Sequence, residues 1–221
     1  MTELGSFEEA VNELPGIRRC EIPGKGPLLV IPNCPPQLFP EMILDEGLGH
    51  FAHYSSIIQK TEAFQKIASA KDGRVAVVLF SGNVIVAYAA CWYPGPGERW
   101  NKLGELMYEM GAIEVSRNFR GAKLSEIIFD ALMENDFFED KIAYMNGFSW
   151  HWDLDGTGLT MSDYRKMMMK LFRRQGYKEF ITNEPNIALR EENVFMARIG
   201  ARVSEDDKRL FRNLRFGIAG K

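Results

Sequence analysis

Gly111-Ala112-Ile113-Glu114-Val115 and, beginning five residues later, Arg120-Gly121-Ala122-Lys123-Leu124-Ser125 decide how this chain is read. The first run is apolar and strand-like. The second opens an amphipathic helix on which Leu124, Ile127, Ile128, Ala131 and Leu132 share one face. A strand that turns tightly into a helix leaves the first helical amides unpaired at the positive end of the helix dipole, and small residues there let a diphosphate approach the backbone. This predicts an anion cradle. An ordinary strand-to-helix turn has the same free amides, so the surroundings must decide between the two readings.

Upstream, Arg74 to Phe80 and Val84 to Trp92 are β-rich runs joined by Ser81-Gly82-Asn83, a hairpin signal. A second hairpin is expected from Ile17 to Ile22 and Leu28 to Ile31 around Pro23-Gly24-Lys25-Gly26, followed by a proline-rich connector from Pro32 to Pro40. Residues 1 to 15 read as a short acidic helix or lead-in, and Glu62 to Ala70 as a helix stopped by Asp72-Gly73. The loop Tyr93 to Trp100 alternates proline and glycine and leads to the strand ending at Val115. Downstream come a strand from Lys141 to Phe148, a helix marked by Tyr164, Met167, Met168, Leu171 and Phe172, strands at Tyr177 to Thr182 and Val194 to Ile199, and a helix from Asp207 to Leu214. The order is that of a mixed α/β fold.

A length of 221 residues with 46% hydrophobic content suits one domain, 1–221, with 1–40 as a divergent strand and loop region and 204–221 as a terminal helix and tail. The 27 basic and 30 acidic residues leave a net charge of −3, so no global field draws the protein to nucleic acid or an anionic membrane. No apolar run approaches the ~20 residues of a membrane span. Three cysteines at no metal-like spacing, and an acidic start without a signal-peptide core, make the cytoplasm the simplest compartment. His50 and His53, with Glu46 one turn earlier, lack the further ligands of a zinc site, so no metal is expected. Neither Cys20 nor Cys91 shows a paired base, so neither is expected to act as a nucleophile.

With these elements in place the chain resembles the GNAT superfamily of N-acetyltransferases, whose pattern Arg/Gln-x-x-Gly-x-Gly/Ala binds the diphosphate of acyl-CoA. Arg120 fills the first position, while Lys123 and Ser125 stand at the two small ones. A closer resemblance, over roughly residues 74 to 216, is to the AcuA-type acetoin-utilization acetyltransferases. It rests on Tyr93-Pro94 with Glu98-Arg99-Trp100, Gly111 to Val115 with Phe119-Arg120-Gly121, Trp150-His151-Trp152-Asp153-Leu154, Tyr164-Arg165-Lys166, Glu184-Pro185 and Met196-Ala197-Arg198-Ile199-Gly200. The resemblance implies a mostly antiparallel central sheet flanked by helices, acetyl-CoA as cosubstrate held by Ile113, Val115, Arg120, Gly121, Ala122, Lys123, Leu124 and Ser125, and a lysine of acetyl-CoA synthetase as acceptor. A small-amine acetyltransferase and a non-catalytic acetyl-CoA sensor remain open alternatives.

Glu114 is the candidate general base. A lysine amine of pKa ~10.4 is neutral in only about one molecule in a few thousand at pH 7, and a cleft carboxylate can take its proton. The alternative is an ion pair of Glu114 with Arg117 or Arg120. In many GNAT enzymes a tyrosine four residues before a Gly-Phe pair protonates the leaving thiolate; the matching position here holds Phe172, so water, Tyr164 or His151 would have to act instead. Trp100, Trp150, Trp152 and Asp153 are candidate shapers of the acceptor site, with core packing as the alternative. Arg165, Lys166, Lys170, Arg173 and Arg174 form either a solvated helix face or a dock for phosphate or an acidic protein patch.

Overall fold

The computed structural model describes residues 3–49 and 60–218. His50 and His53 therefore lie outside the described residues. In chain order the elements are α1 (Glu3–Asn12), β1 (Arg18–Ile22), β2 (Gly26–Ile31), β3 (Ile43–Leu44), α2 (Thr61–Ser69), β4 (Arg74–Phe80), β5 (Val84–Trp92) and β6 (Met107–Val115). They continue with α3 (Leu124–Met133), β7 (Ile142–Gly147), α4 (Leu154–Thr157), α5 (Met161–Arg174), β8 (Lys178–Glu179), α6 (Pro185–Ala188), β9 (Val194–Ile199) and α7 (Glu205–Leu214). The fold is α/β, with mixed, mostly antiparallel strands flanked by helices, and the chain divides into two compact units.

The first unit holds the chain up to Gly49, the segment ending at Cys91, and Ala112–Glu134. Its strands run β1-β2-β4-β5, each antiparallel to the next, with β3 parallel to β5. The β4–β5 hairpin has the boundaries its sequence predicts, because the apolar runs Val75 to Leu79 and Ile85 to Cys91 are buried throughout and Ser81-Gly82 turn the chain at positive φ. Both α2 and α3 pack on β4. Phe64 of α2 meets Phe39 at 5.5 Å and Tyr88 at 4.7 Å between ring centroids, while α3 buries Leu124, Ile128, Phe129 and Leu132. The proline-rich connector contains a 3-10 turn, Pro36–Glu41.

The second unit comprises Trp92–Gly111 and the chain from Asn135 onward. Here β6 begins at Met107, four residues before the sequence-based boundary, and pairs in parallel with β7. Next come β9 and β8, each antiparallel to its neighbour. The strand expected at Tyr177 to Thr182 is reduced to Lys178–Glu179. Its start is delayed because the Tyr177 amide closes the C-terminus of α5 on the Phe172 carbonyl, and its end comes early because the Thr182 hydroxyl donates to the Arg215 carbonyl. Trp100, Tyr144, Phe195, Phe211 and Leu214 form the core, with Trp100 stacked on Phe195 at 4.3 Å.

Candidate functional site

In the first unit the end of β6 leads through a 3-10 turn, Arg117–Phe119, into the stretch before α3. Ser116 anchors this route. Its amide donates to the Val86 carbonyl, and its hydroxyl donates to Asp45, which also accepts from the Asn118 side chain and the Gly47 amide. Gly121 and Lys123 then take left-handed conformations, φ 81° and 56°. Among the described residues the amides of Gly121, Ala122, Lys123, Leu124 and Ser125 donate to no other group, and Gly121 is surrounded by open space. The backbone-special positions are thus Gly121 and Lys123, whereas Ser125 sits inside the first turn of α3. A lysine in the left-handed region costs roughly 1 kcal/mol relative to glycine. Lys123→Gly should therefore raise the melting temperature by a few degrees. If the Lys123 ammonium contacts phosphate, the same variant should bind a diphosphate-bearing ligand more weakly, so melting and titration calorimetry separate the two effects.

Glu114 also lies in the first unit. One carboxylate oxygen accepts from the Gly49 amide at 2.8 Å and the other from the Tyr88 hydroxyl at 2.7 Å. Both oxygens are engaged in tying residue 49 and β5 to β6. Removing the charge should leave one of these donors without an acceptor, at a cost of about 1–2 kcal/mol. The expected outcome for Glu114→Gln is a lower melting temperature with an unchanged pH profile for the activity that remains.

A second carboxylate, Glu109, occupies β6 within the second unit. Asn146 Nδ2 donates to its Oε1 at 3.2 Å, and the Trp92 indole is a further donor. Tyr144, its partner across the β6–β7 ladder, brings a hydroxyl close enough to favour the ionised form, without a hydrogen bond of good geometry. Burial outweighs these donors and the negative charge of Glu98 adds to it, so the Glu109 carboxyl is pushed up to about 7. Burial and the neighbouring acids likewise raise the Tyr144 phenol. Gly111 makes this packing possible, since a Cβ there would fall 1.9 Å from the Trp92 ring.

The aromatic stretch of the second unit separates into two parts. Trp150 is partly exposed, stacks on Phe148 at 4.8 Å and has the Arg190 guanidinium at 5.8 Å from its ring. His151 packs edge-on to both rings, and partial burial lowers its pKa. Trp152, in contrast, is buried and stacks on Tyr164 at 5.2 Å, and the buried Asp153 caps α4 through the Gly156 amide at 3.0 Å. Trp100 is a core residue, 2% exposed. Glu114, Ile113, Val115 and the cradle therefore belong to one unit, and His151, Tyr164 and the four candidate acceptor-site residues to the other.

No family model matches the chain. The acetoin utilization protein AcuA of Bacillus subtilis strain 168 is 36% identical over 159 residues, 72% of this chain and 75% of that protein. Its counterpart in Bacillus licheniformis is 38% identical over 156 residues, 70% and 74% of the two chains. This chain belongs to the AcuA family. A solved acetoin utilization protein from Exiguobacterium sibiricum 255-15 matches it with a TM-score of 0.82 at 31% identity, over 90% of this chain and 94% of that one. The GNAT domain of S. lividans PAT, 12% identical, matches with a TM-score of 0.51 over 84% of this chain and 99% of that domain, which shows the GNAT fold alone.

AcuA membership and the GNAT fold together support an acetyltransferase. The cradle fits a diphosphate: two left-handed residues, free amides and open space beside Gly121 are what an anion bound to backbone requires. Among the described residues no group of three or more His, Cys, Asp or Glu could hold a metal ion, and no helix is long and apolar enough to cross a membrane. The sequence signal for Glu109 is Met107-Tyr108-Glu109-Met110, an acid in an otherwise apolar run that lies before the expected strand boundary at Gly111.

Proposed function

We propose that this AcuA-family chain is an acetyl-CoA-dependent N-acetyltransferase of the cytoplasm that acetylates a lysine side chain of a protein, with acetyl-CoA synthetase as the candidate acceptor. The observation that carries the reading is the cradle, where Gly121 and Lys123 take left-handed conformations and the amides from Gly121 to Ser125 are left for an anion. Glu109, whose carboxyl burial pushes up to about 7, is the acid assigned as base. A general base works best when its pKa lies near the working pH, and a lysine ammonium needs one. Cys20 and Cys34 are free thiols, which suits a reducing compartment.

Acetyl-CoA supplies an activated acetyl thioester. Gly121 to Ser125 bind its diphosphate through backbone amides, with Arg120 and Lys123 offering positive charge. Glu109 receives the proton of the acceptor amine, and the amides of β6 near Gly111 to Ile113 polarise the carbonyl that the amine attacks. Glu114 keeps residue 49 and Tyr88 against β6. Trp150, partly exposed beside Arg190, is the aromatic best suited to touching the acceptor.

The test is transfer of label from acetyl-CoA to purified acetyl-CoA synthetase. Label on a synthetase lysine supports the reading. Label on free polyamines but not on the synthetase favours a small-amine enzyme, and binding of acetyl-CoA without transfer to either favours a sensor.

A further inference from the structure

Two buried polar atoms on β7 have no hydrogen-bond partner among the described residues: the Tyr144 hydroxyl and Asn146 Oδ1. They lie two positions apart, on the same face of the strand, and both side chains are directed to Glu109. The groups facing that carboxyl are Tyr144 and Asn146 from β7, the Trp92 indole from the end of β5, and Glu98 from the following loop, where the Gly95 amide holds the Glu98 carboxylate at 2.6 Å. Unpaired buried polar atoms cost stability, so two of them around one acid call for an explanation. Asparagine carries a donor and an acceptor on one rotatable amide, and a carboxyl group needs a donor when ionised but an acceptor when protonated.

We propose that Asn146, with Tyr144 beside it, is a positioning residue that serves Glu109 in both of its protonation states. The inference rests on the reading of Glu109 as the base. Asn146 Nδ2 donates to Glu109 Oε1 at 3.2 Å, the contact that suits the ionised carboxyl of the resting state. When the acceptor ammonium gives up its proton, the N–H bond breaks, an O–H bond forms on Glu109, and the electron pair stays on nitrogen for attack. The new O–H then needs an acceptor, and a turn of the amide presents Asn146 Oδ1, the atom otherwise left without a partner. A small shift of the Tyr144 ring would bring its unpartnered hydroxyl into the same exchange, as donor to the carboxylate and acceptor from the acid. Nothing on Asn146 or Tyr144 is consumed.

The test is a carbon-13 NMR titration of the full chain carrying labelled glutamate carboxyls, with the Glu109 signal assigned by its loss in Glu109→Gln. The wild-type midpoint should fall at about 7. Asn146→Leu and Tyr144→Phe should each move it upward, changing proton affinity by roughly threefold or more, because donors to the charged form are the stronger ones to lose. Asn146→Asp, closest in shape, should also move it upward, while Glu98→Gln should move it down. The acid limb of kcat should follow each shift, with the KM for acetyl-CoA unchanged. If Glu109→Gln retains normal turnover at pH 7, the base reading falls and this inference with it. If Glu109→Gln is inactive while the folded Asn146 and Tyr144 variants titrate and turn over like wild type, this inference alone is overturned.

Discussion

Glu109→Gln should lower turnover at pH 7 by roughly 10²-fold or more, while acetyl-CoA still raises the melting temperature of the variant. Glutamine keeps the size and polarity of the side chain but cannot take a proton. Raising the pH should restore part of the rate, since more of the acceptor lysine is then already neutral. The same substitution should change stability in a direction a structural acid would not. The folded pKa of Glu109, about 7, lies above its ordinary value of 4.5. The folded state therefore holds this proton more tightly; the stability it contributes is complete below about pH 4.5 and is lost as pH rises through about 7. At pH 8 wild type bears the burial of a charge and the variant does not, so Glu109→Gln should be the more stable by on the order of 2 kcal/mol. Near pH 4.5 that advantage should vanish. An inactive variant that is more stable at pH 8 is the signature of a group held for chemistry at the expense of the fold. Normal turnover at pH 7 would move the search for the base back to Glu114.

The contrast between Glu109 and Glu114 shows how far the sequence could be read. Glu114 stands in an apolar run next to a glycine-bearing turn, so it was visible as a strand acid near the cradle. Its partners were not: Gly49 lies 65 residues away and Tyr88 lies 26 away, separations that no local pattern spans. Glu109 was hidden for a different reason. Residues 99–106 form 3-10 turns that reverse at Gly104, φ 54°, and such short local structure has no period to detect, so the strand that follows it had no visible start. The hairpin of β4 and β5 was legible to the residue because both strands are apolar throughout and the turn is chemically distinct. The cradle was legible as a location but not as a conformation. A reader of residues places the small positions of the family pattern at Lys123 and Ser125, whereas backbone angles put the left-handed residues at Gly121 and Lys123. The aromatic run Trp150 to Trp152 reads as one feature, yet Trp150 is partly exposed and Trp152 is buried against Tyr164, a division set by the packing of α5.

Gly111→Ala should cost the second unit several degrees of melting temperature and shift the Glu109 titration upward. An added Cβ would lie 1.9 Å and 2.1 Å from two carbons of the Trp92 ring, well inside contact distance, so the indole must move. Overpacking of this kind costs typically 1–3 kcal/mol, or roughly 3–10 °C for a chain of this size. The ring that moves is also a donor to Glu109, and losing it disfavours the ionised carboxylate. Packing and proton affinity can be separated by a second substitution. Trp92→Leu in the Gly111→Ala background makes room for the methyl group and should recover much of the melting temperature, but leucine offers no N–H, so the Glu109 midpoint and the acid limb of the rate should stay displaced upward. If the double variant regains both stability and the wild-type pH profile, the indole acts on the fold alone and its hydrogen bond to Glu109 has no part in the chemistry. If stability returns and the pH profile does not, a glycine in mid-strand is explained by the base that its missing side chain allows Trp92 to hold.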